Sequence, residues 1–236
     1  MNRKNFLELL MVHSAGAASV SGFTKSISGK ENPGQKGGDH HLEADLVIAG
    51  GGMGGCAAAL AALRNGLSVI MTEETEWIGG QFTQQGVPPD EHQWIETHGG
   101  TQLYRNLRTE IRAYYKRYYP LTSEAAEKQY LNPGDGAVSR ICHEPLPALA
   151  ALYNLFAPYL SSGRFTLLTE TKILEADVDG DHVHALRAKK QRSENTLFLK
   201  APFFIDATEL GDLLPLTGTE YTTGAESKED TGELHA

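Results

Sequence analysis

The residues with the clearest chemical potential are the glycine-rich stretch 50–55, which reads GGGMGG and satisfies the pattern G-x-G-x-x-G. In this pattern Gly50 permits a tight turn, Gly52 lets the backbone approach a pyrophosphate without a Cβ, and Gly55 allows close packing of the next helix. The N–H groups that begin this helix can bind phosphate oxygens. The stretch, with Met53 and Gly54 inside it, therefore predicts a phosphate-binding turn.

A carboxylate follows at the distance that a dinucleotide site requires. Glu73 lies 21 positions after Gly52, where an acid can accept hydrogen bonds from the hydroxyls of an adenosine ribose. The alternative is a glycine turn that only joins a strand to a helix, with an acidic strand end that faces water. Because strand, turn, helix and acid occur together, the sequence predicts a dinucleotide site.

The elements that must position these residues follow from hydrophobic patterning. An apolar run at 45–50 predicts a buried parallel strand, the Ala- and Leu-rich stretch 54–65 predicts a helix that ends before Gly66, and residues 68–73 predict a second strand. Two longer helices are expected at 100–119 and 146–161, with a loop between them.

The second half of the chain changes to strand patterning. The expected strands cover residues 165–168, 172–178, 183–188, 196–200 and 203–205. We interpret them as a parallel strand, a small antiparallel β-meander and a return to the main sheet. The predicted fold class is α/β: a Rossmann-like domain with a central parallel sheet, the meander and a helical insertion.

Three further stretches carry a resemblance to a known family. Gly79-Gly80 follows Glu73 closely, residues 140–145 read RICHEP, and residues 204–214 read FIDATELGDLL. From about Asp45 to its end, the chain resembles the bacterial FAD-dependent oxidoreductases, two-dinucleotide-binding flavoproteins related to the flavin subunit of heterodisulfide reductase. The resemblance implies FAD as cofactor, with the second glycine turn near its pyrophosphate and ribityl chain.

Motif and resemblance together give one set of expected cofactor contacts. The set is Gly50, Gly52, Met53, Gly54, Gly55, Glu73, Glu74, Gly79, Gly80, Gln81, Ile173, Ala207, Thr208 and Gly211. The resemblance also implies that the loop with Thr83, Gln84 and Gly86 lies near the isoalloxazine ring, although ordinary loop residues explain it equally well. A plain strand-to-turn connection is the alternative for the loop after Asp206.

Candidates for direct catalysis are few. A flavin performs the redox chemistry itself, so the protein needs no nucleophile. Cys142 stands beside His143, which could lower a thiol pKa, but a lone cysteine is more often a small buried hydrophobe. His92 and His98 are six positions apart, unlike helical zinc ligands, and no metal site is predicted.

Two other function classes remain open at this point. A nicotinamide-dependent dehydrogenase shares the glycine pattern and the ribose acid, but does not need Gly79-Gly80 or the sequence at 206–208. A non-catalytic nucleotide-binding module is the second alternative, because members of the resembled family continue well beyond Ala236, and this chain is expected to be their front part. The sequence indicates no substrate, electron acceptor or oligomeric state.

Composition and the amino terminus give the remaining expectations. A net charge of −9 argues against a nucleic-acid partner. Residues 1–23 resemble a twin-arginine export signal, with Lys4 in place of the second arginine; a frayed helix on a cytoplasmic protein is the alternative. Residues 24–44 are expected to be a flexible linker and residues 45–236 the folded domain. No stretch predicts a membrane span.

Overall fold

The computed structural model describes residues 40–193 and 195–234, all within one unit of the chain, Gly37–Ala236. The predicted signal segment 1–23 and the first part of the predicted linker, 24–39, lie outside the described residues. In chain order the elements are β1 (His40–Glu43), β2 (Leu46–Ala49), α1 (Met53–Arg64), β3 (Val69–Thr72), α2 (Gln81–Gln84), α3 (Gln102–Tyr118), α4 (Ser123–Glu127), α5 (Pro145–Ser161), β4 (Phe165–Leu168), β5 (Thr171–Asp179), β6 (His182–Lys190), β7 (Thr196–Lys200), β8 (Phe203–Asp206), α6 (Leu213–Thr217) and α7 (Lys228–Thr231).

The central sheet is parallel and has the strand order β4-β3-β2-β8. Its strands are short and apolar, and β2 and β3 are buried along their whole length, as expected for a sheet covered on both faces. Alternate residues of β2 enter different cores: Leu46 and Ile48 pack with α1 and α5, whereas Val47 and Ala49 pack with the second sheet. The α/β class predicted from the sequence is confirmed.

The second sheet has the order β1-β7-β6-β5. Strands β5, β6 and β7 form the predicted antiparallel meander. Strand β1 pairs in parallel with β7, from His40 beside Leu197 to Glu43 beside Lys200. The prediction of a flexible linker through residue 44 was therefore wrong for residues 40–43, because pairing with a distant strand orders a segment that has no hydrophobic pattern of its own.

The two long helices form where the sequence predicts them, and local signals set their ends. Thr101 caps α3 by accepting a hydrogen bond from the Tyr104 N–H at 3.2 Å. Pro145 begins α5, where a missing N–H has no cost. Gly66, with a φ of +92°, follows α1 and reverses the chain toward β3.

A buried charge network fixes the loop before α3 to that helix. Arg108 forms ion pairs with Glu91 and Glu96, and its side chain is only 2% exposed. Glu91 also accepts a hydrogen bond from the Tyr104 hydroxyl, and Arg112 pairs with Glu96 at 2.5 Å. Each charge is compensated, which is the condition for burying it without a large penalty.

No helix in the described ranges has the length and apolar character needed to cross a membrane.

We expect Glu91→Gln to lower the free energy of unfolding by about 3 kcal/mol, because it leaves the buried Arg108 guanidinium undercompensated. Urea denaturation measures this difference. The matched control is Glu175→Gln, which breaks an exposed ion pair with Arg187 and should cost less than about 1 kcal/mol. Equal losses in both variants would contradict a special role for the buried network.

Candidate functional site

Three turns meet at one edge of the parallel sheet because three neighbouring strands end there in register. Ala49 at the end of β2 lies beside Thr72 of β3 and Asp206 of β8. The backbone continues this pairing past the strand ends: the Gly50 N–H donates to the Thr72 carbonyl at 3.1 Å, and the Ala207 N–H donates to the Ala49 carbonyl at 2.7 Å. The predicted phosphate-binding turn thus lies between the other two.

The first turn leaves no room for side chains at two of its glycines. Gly50 has a φ of +98°, and a Cβ there would lie 2.2 Å from the Ala207 carbonyl oxygen. A Cβ on Gly55 would lie 2.1 Å from the Gly50 carbonyl oxygen. These are the tight turn and the close helix packing that the sequence pattern predicts.

The first turn of α1 is suited to an anion. Gly52 is the N-cap residue and provides no capping side chain, and no described residue accepts a hydrogen bond from the N–H groups of Met53, Gly54 or Gly55. Gly54 is exposed, and a Cβ there would contact nothing within 4 Å. Free N–H groups, the positive end of a helix of 12 residues and open space in front of it fit a pyrophosphate.

Glu73 is oriented into the site rather than toward bulk water. The residue is 9% exposed, and its Oε2 accepts a hydrogen bond from the Gly51 N–H at 2.9 Å. Its Oε1 accepts from the Thr75 N–H at 2.8 Å and from the Thr75 hydroxyl at 2.7 Å. Glu73 therefore ties the glycine turn to β3, and Oε2 retains one lone pair for a further donor such as a ribose hydroxyl.

The second glycine turn packs directly on the first. The Gly79 N–H donates to the Gly51 carbonyl at 2.8 Å, and both glycines of the pair have positive φ, +107° at Gly79 and +50° at Gly80. The Thr83 hydroxyl donates to the Ile78 carbonyl at 2.6 Å and is fully buried. Thr83 thus supports the turn, and Gln81 begins the short helix α2 beside it.

The loop after β8 is held by its own polar side chains. Asp206 Oδ1 accepts from the Thr208 N–H at 3.0 Å and from its hydroxyl at 2.7 Å, and Oδ2 accepts from the Leu213 N–H at 2.8 Å. The Thr208 oxygen in turn accepts from the Asp212 N–H at 2.7 Å. Gly211, with a φ of +70°, allows the loop to close. Ala207 reaches the glycine turn through its backbone, whereas the Thr208 hydroxyl is engaged inside the loop.

Glu209 is a residue of this site that the sequence analysis missed. A Cβ on Gly52 would lie 3.2 Å from Glu209 Oε1, and one on Gly80 would lie 3.5 Å from it. This exposed carboxylate therefore lies between the two glycine turns, beside the start of α1. The sequence does show an acid directly after Asp206-Ala207-Thr208. Only the pairing of β8 with β2 shows that this acid faces the glycine turns.

Two predicted contacts lie beside the turns and have other roles in the structure. Glu74 forms an ion pair with Lys172 at 3.0 Å. Ile173 is 6% exposed, and its side chain packs in the core between the two sheets. The Thr171 N–H donates to the Glu73 carbonyl at 2.8 Å, which places the start of β5 next to the candidate ribose site. Cofactor contact by Glu74 and Ile173 stays a prediction.

The two cysteines differ in environment. Cys56 is 1% exposed, and burial, followed by the nearby Glu73 charge, raises the pKa of its thiol to about 12. It is a packed residue, as expected. Cys142 is half-buried, and its thiol points to the Ser139 carbonyl at 3.7 Å; its redox role stays a prediction. The described part of the chain holds no group of three or more His, Cys, Asp or Glu residues arranged for a metal ion.

Comparison with known proteins identifies the family. Residues 45–236 match the family described as "FAD dependent oxidoreductase". The chain belongs to this family. Membership confirms the sequence prediction of a flavin oxidoreductase family with FAD as its cofactor and favours it over the nicotinamide alternative. No curated protein matches the chain.

Several solved structures of known proteins are similar to this chain over part of their length. The Sdh1 complex of Mycobacterium smegmatis in the apo form is 16% identical, with a TM-score of 0.46, over 72% of this chain and 34% of that one. Adenylylsulfate reductase from Archaeoglobus fulgidus is 20% identical, with a TM-score of 0.41, over 72% and 31%. Quinol fumarate reductase of E. coli is 16% identical, with a TM-score of 0.43, over 72% and 33%. The chain thus spans about a third of the length of these proteins.

We expect two neighbouring glycines to respond differently to the same substitution. Gly55→Ala places a methyl group against the Gly50 carbonyl and should lower the free energy of unfolding by roughly 2 kcal/mol or more. Gly54→Ala meets open space and should leave it unchanged or raise it by no more than about 1 kcal/mol. Thermal unfolding without added nucleotide measures both. Similar stability of the two variants would contradict the packing described for this turn.

Proposed function

We propose that this chain provides the ADP-binding part of an FAD-dependent oxidoreductase. The observation that carries the proposal is the convergence of three turns on the first turn of α1, whose N–H groups have no acceptor among the described residues. Membership of the FAD dependent oxidoreductase family supports the same reading.

In this proposal each part of the site has one task. The N–H groups of Met53, Gly54 and Gly55 bind the pyrophosphate, which approaches over Gly52, a residue with no side chain of its own. Glu73 accepts a hydrogen bond from a ribose hydroxyl while it holds the glycine turn through the Gly51 N–H. Gly79-Gly80 and Gln81 border the chain that leads to the isoalloxazine ring.

When bound, FAD supplies the hydride or electron transfer, and the protein supplies binding and orientation. The proposed reaction is the oxidation or reduction of a small molecule. No residue near the glycine turns identifies that molecule or the electron acceptor. Buried Glu73 and the two glycine turns would hold the nucleotide end of the cofactor at the edge of the sheet.

The deciding experiment is titration of the purified 236-residue chain with FAD, followed by flavin absorbance and fluorescence. We expect saturable binding that Glu73→Gln weakens roughly tenfold, because a neutral amide is a poorer acceptor for a ribose hydroxyl than a carboxylate. Glu220→Gln, an exposed change of the same charge, is the control. Binding of NAD without FAD would favour a dehydrogenase, and binding of neither would favour a non-catalytic module.

The same titration tests Glu209. Its carboxylate lies where the negative pyrophosphate must approach, so Glu209→Gln should tighten FAD binding about fivefold at low salt. The gain should shrink as salt is raised, because mobile ions screen the repulsion. An unchanged affinity would mean that Glu209 moves away from the phosphates at no cost.

We also propose that residues 1–23 act as an export signal of the twin-arginine type; the order of Arg3-Lys4, Phe6-Leu7 and a small-residue apolar stretch supports this. In a bacterium that has this pathway, the wild-type chain should reach the periplasm. The double variant Arg3→Gln and Lys4→Gln should stay in the cytoplasm. Lys25→Gln with Lys30→Gln, an equal charge change in the linker segment, should still be exported. Cytoplasmic retention of the wild-type chain would overturn the proposal.

A further inference from the structure

A cavity that the flavin proposal does not use lies between the end of α3, α4 and the segment before α5. Its volume is about 750 Å³, within the range of about 300–1,000 Å³ that is usual for small-molecule sites. Tyr115, Tyr119 and Tyr130 form its aromatic wall, and Leu121, Leu131 and Pro133 add apolar surface.

The polar part of the wall is held in a fixed arrangement. Glu144 Oε2 accepts hydrogen bonds from the Tyr119 hydroxyl and, at 3.3 Å, from the Tyr115 hydroxyl. The Glu144 N–H donates back to the Tyr115 oxygen at 2.7 Å. Glu144 Oε1 has no hydrogen bond from any residue in the described ranges. Glu144 is exposed, so the two tyrosines fix one oxygen of its carboxylate and leave the other open to a ligand.

The loop of residues 132–142, which forms the other side of the cavity, is also held by hydrogen bonds. The Cys142 N–H donates to Asn132 Oδ1 at 2.6 Å, and the Gly134 N–H donates to the Cys142 carbonyl at 2.7 Å. A Cβ on Gly136 would lie 2.7 Å from the Cys142 sulfur. This loop therefore packs directly on residue 142, and its hydrogen bonds fix this side of the wall.

The charges of the lining residues decide the kind of ligand. Glu144 and Asp135 are acidic, and Lys128, the one lysine or arginine among the lining residues, pairs with Glu124 of the preceding helix α4 at 3.3 Å. His143 is mostly uncharged at neutral pH because burial lowers its pKa. An oriented carboxylate beside tyrosine rings attracts an organic cation, through charge and through the faces of the rings.

We propose that this cavity binds a small organic amine that carries an aromatic or apolar group, with its ammonium on Glu144 and its ring against Tyr119, which is exposed, whereas Tyr115 behind it is buried. Tyr115 and Tyr119 pack with their ring centroids 4.5 Å apart. The inference is independent of the flavin site, since none of the three converging turns contributes to this wall.

The test uses three probes of one shape and different charge: tryptamine, tryptophol and indole-3-acetate. Binding to the 236-residue chain is measured by calorimetry and ligand-observed NMR without FAD. We expect tryptamine to bind about five- to tenfold more tightly than tryptophol, and indole-3-acetate to bind most weakly. No saturable binding, equal affinities or a preference for the anion would overturn the proposal.

Variants of Glu144 distinguish the contribution of its carboxylate to binding from that of the rest of the cavity. Glu144→Gln should remove the preference for tryptamine and leave tryptophol affinity unchanged, whereas Glu144→Asp should keep part of the preference. Glu127→Gln, an exposed change of equal charge on α4 outside the cavity, should behave as wild type. If Glu127→Gln lowers tryptamine affinity as much as Glu144→Gln, the effect comes from long-range electrostatics, and the proposed contact between the ammonium and Glu144 is wrong. Amine binding is measured without FAD, so a failure of the flavin proposal leaves this test unaffected.

Discussion

The close approach of the backbone at Gly50 is the constraint on which the rest of the site depends. The Ala207 carbonyl lies so near that a Cβ at residue 50 would overlap it, and the Gly50 carbonyl blocks a side chain at residue 55 in the same way. This contact lets β8 pair with β2 and lets α1 begin directly above the sheet. This contact positions the first turn and the loop after β8, because a wider separation would break the backbone hydrogen bond between Ala207 and Ala49. The second glycine turn then packs on the first through the Gly79 N–H.

At this edge of the sheet, groups that attract an anion lie beside carboxylates that repel one. The first turn of α1 presents the positive end of the helix and N–H groups ready for an anion. Glu73 and Glu209 both lie beside it, with different consequences. The Glu73 carboxylate is engaged by the Gly51 N–H and by Thr75 and acts as part of the turn. The Glu209 carboxylate is exposed between the glycine turns, so its negative charge repels an anion that approaches the first turn of α1.

Away from this edge, the helical insertion has its own polar architecture. The buried pairs of Arg108 with Glu91 and Glu96 hold the loop before α3 against that helix. Tyrosines at the end of the same helix orient Glu144 at the start of α5. His143 joins the two regions, since its ring lies 5.6 Å from that of Phe82 on α2, next to the second glycine turn. The insertion therefore packs on the nucleotide site through α2 while keeping a separate cavity.

The sequence by itself determined the glycine turn, the long helices and the positions of most strands along the chain, because periodicity and residue spacing are local signals. Its resemblance to known flavoproteins indicated the family. It did not predict β1, whose order comes from pairing with β7 about 160 residues later. Nor did it show that Glu73 bonds Gly51, that the Thr208 hydroxyl turns into its own loop, or that Glu209 lies between the glycines. These depend on where distant strands end relative to one another, and the cavity beside Glu144 likewise exists only where two helices and a loop meet.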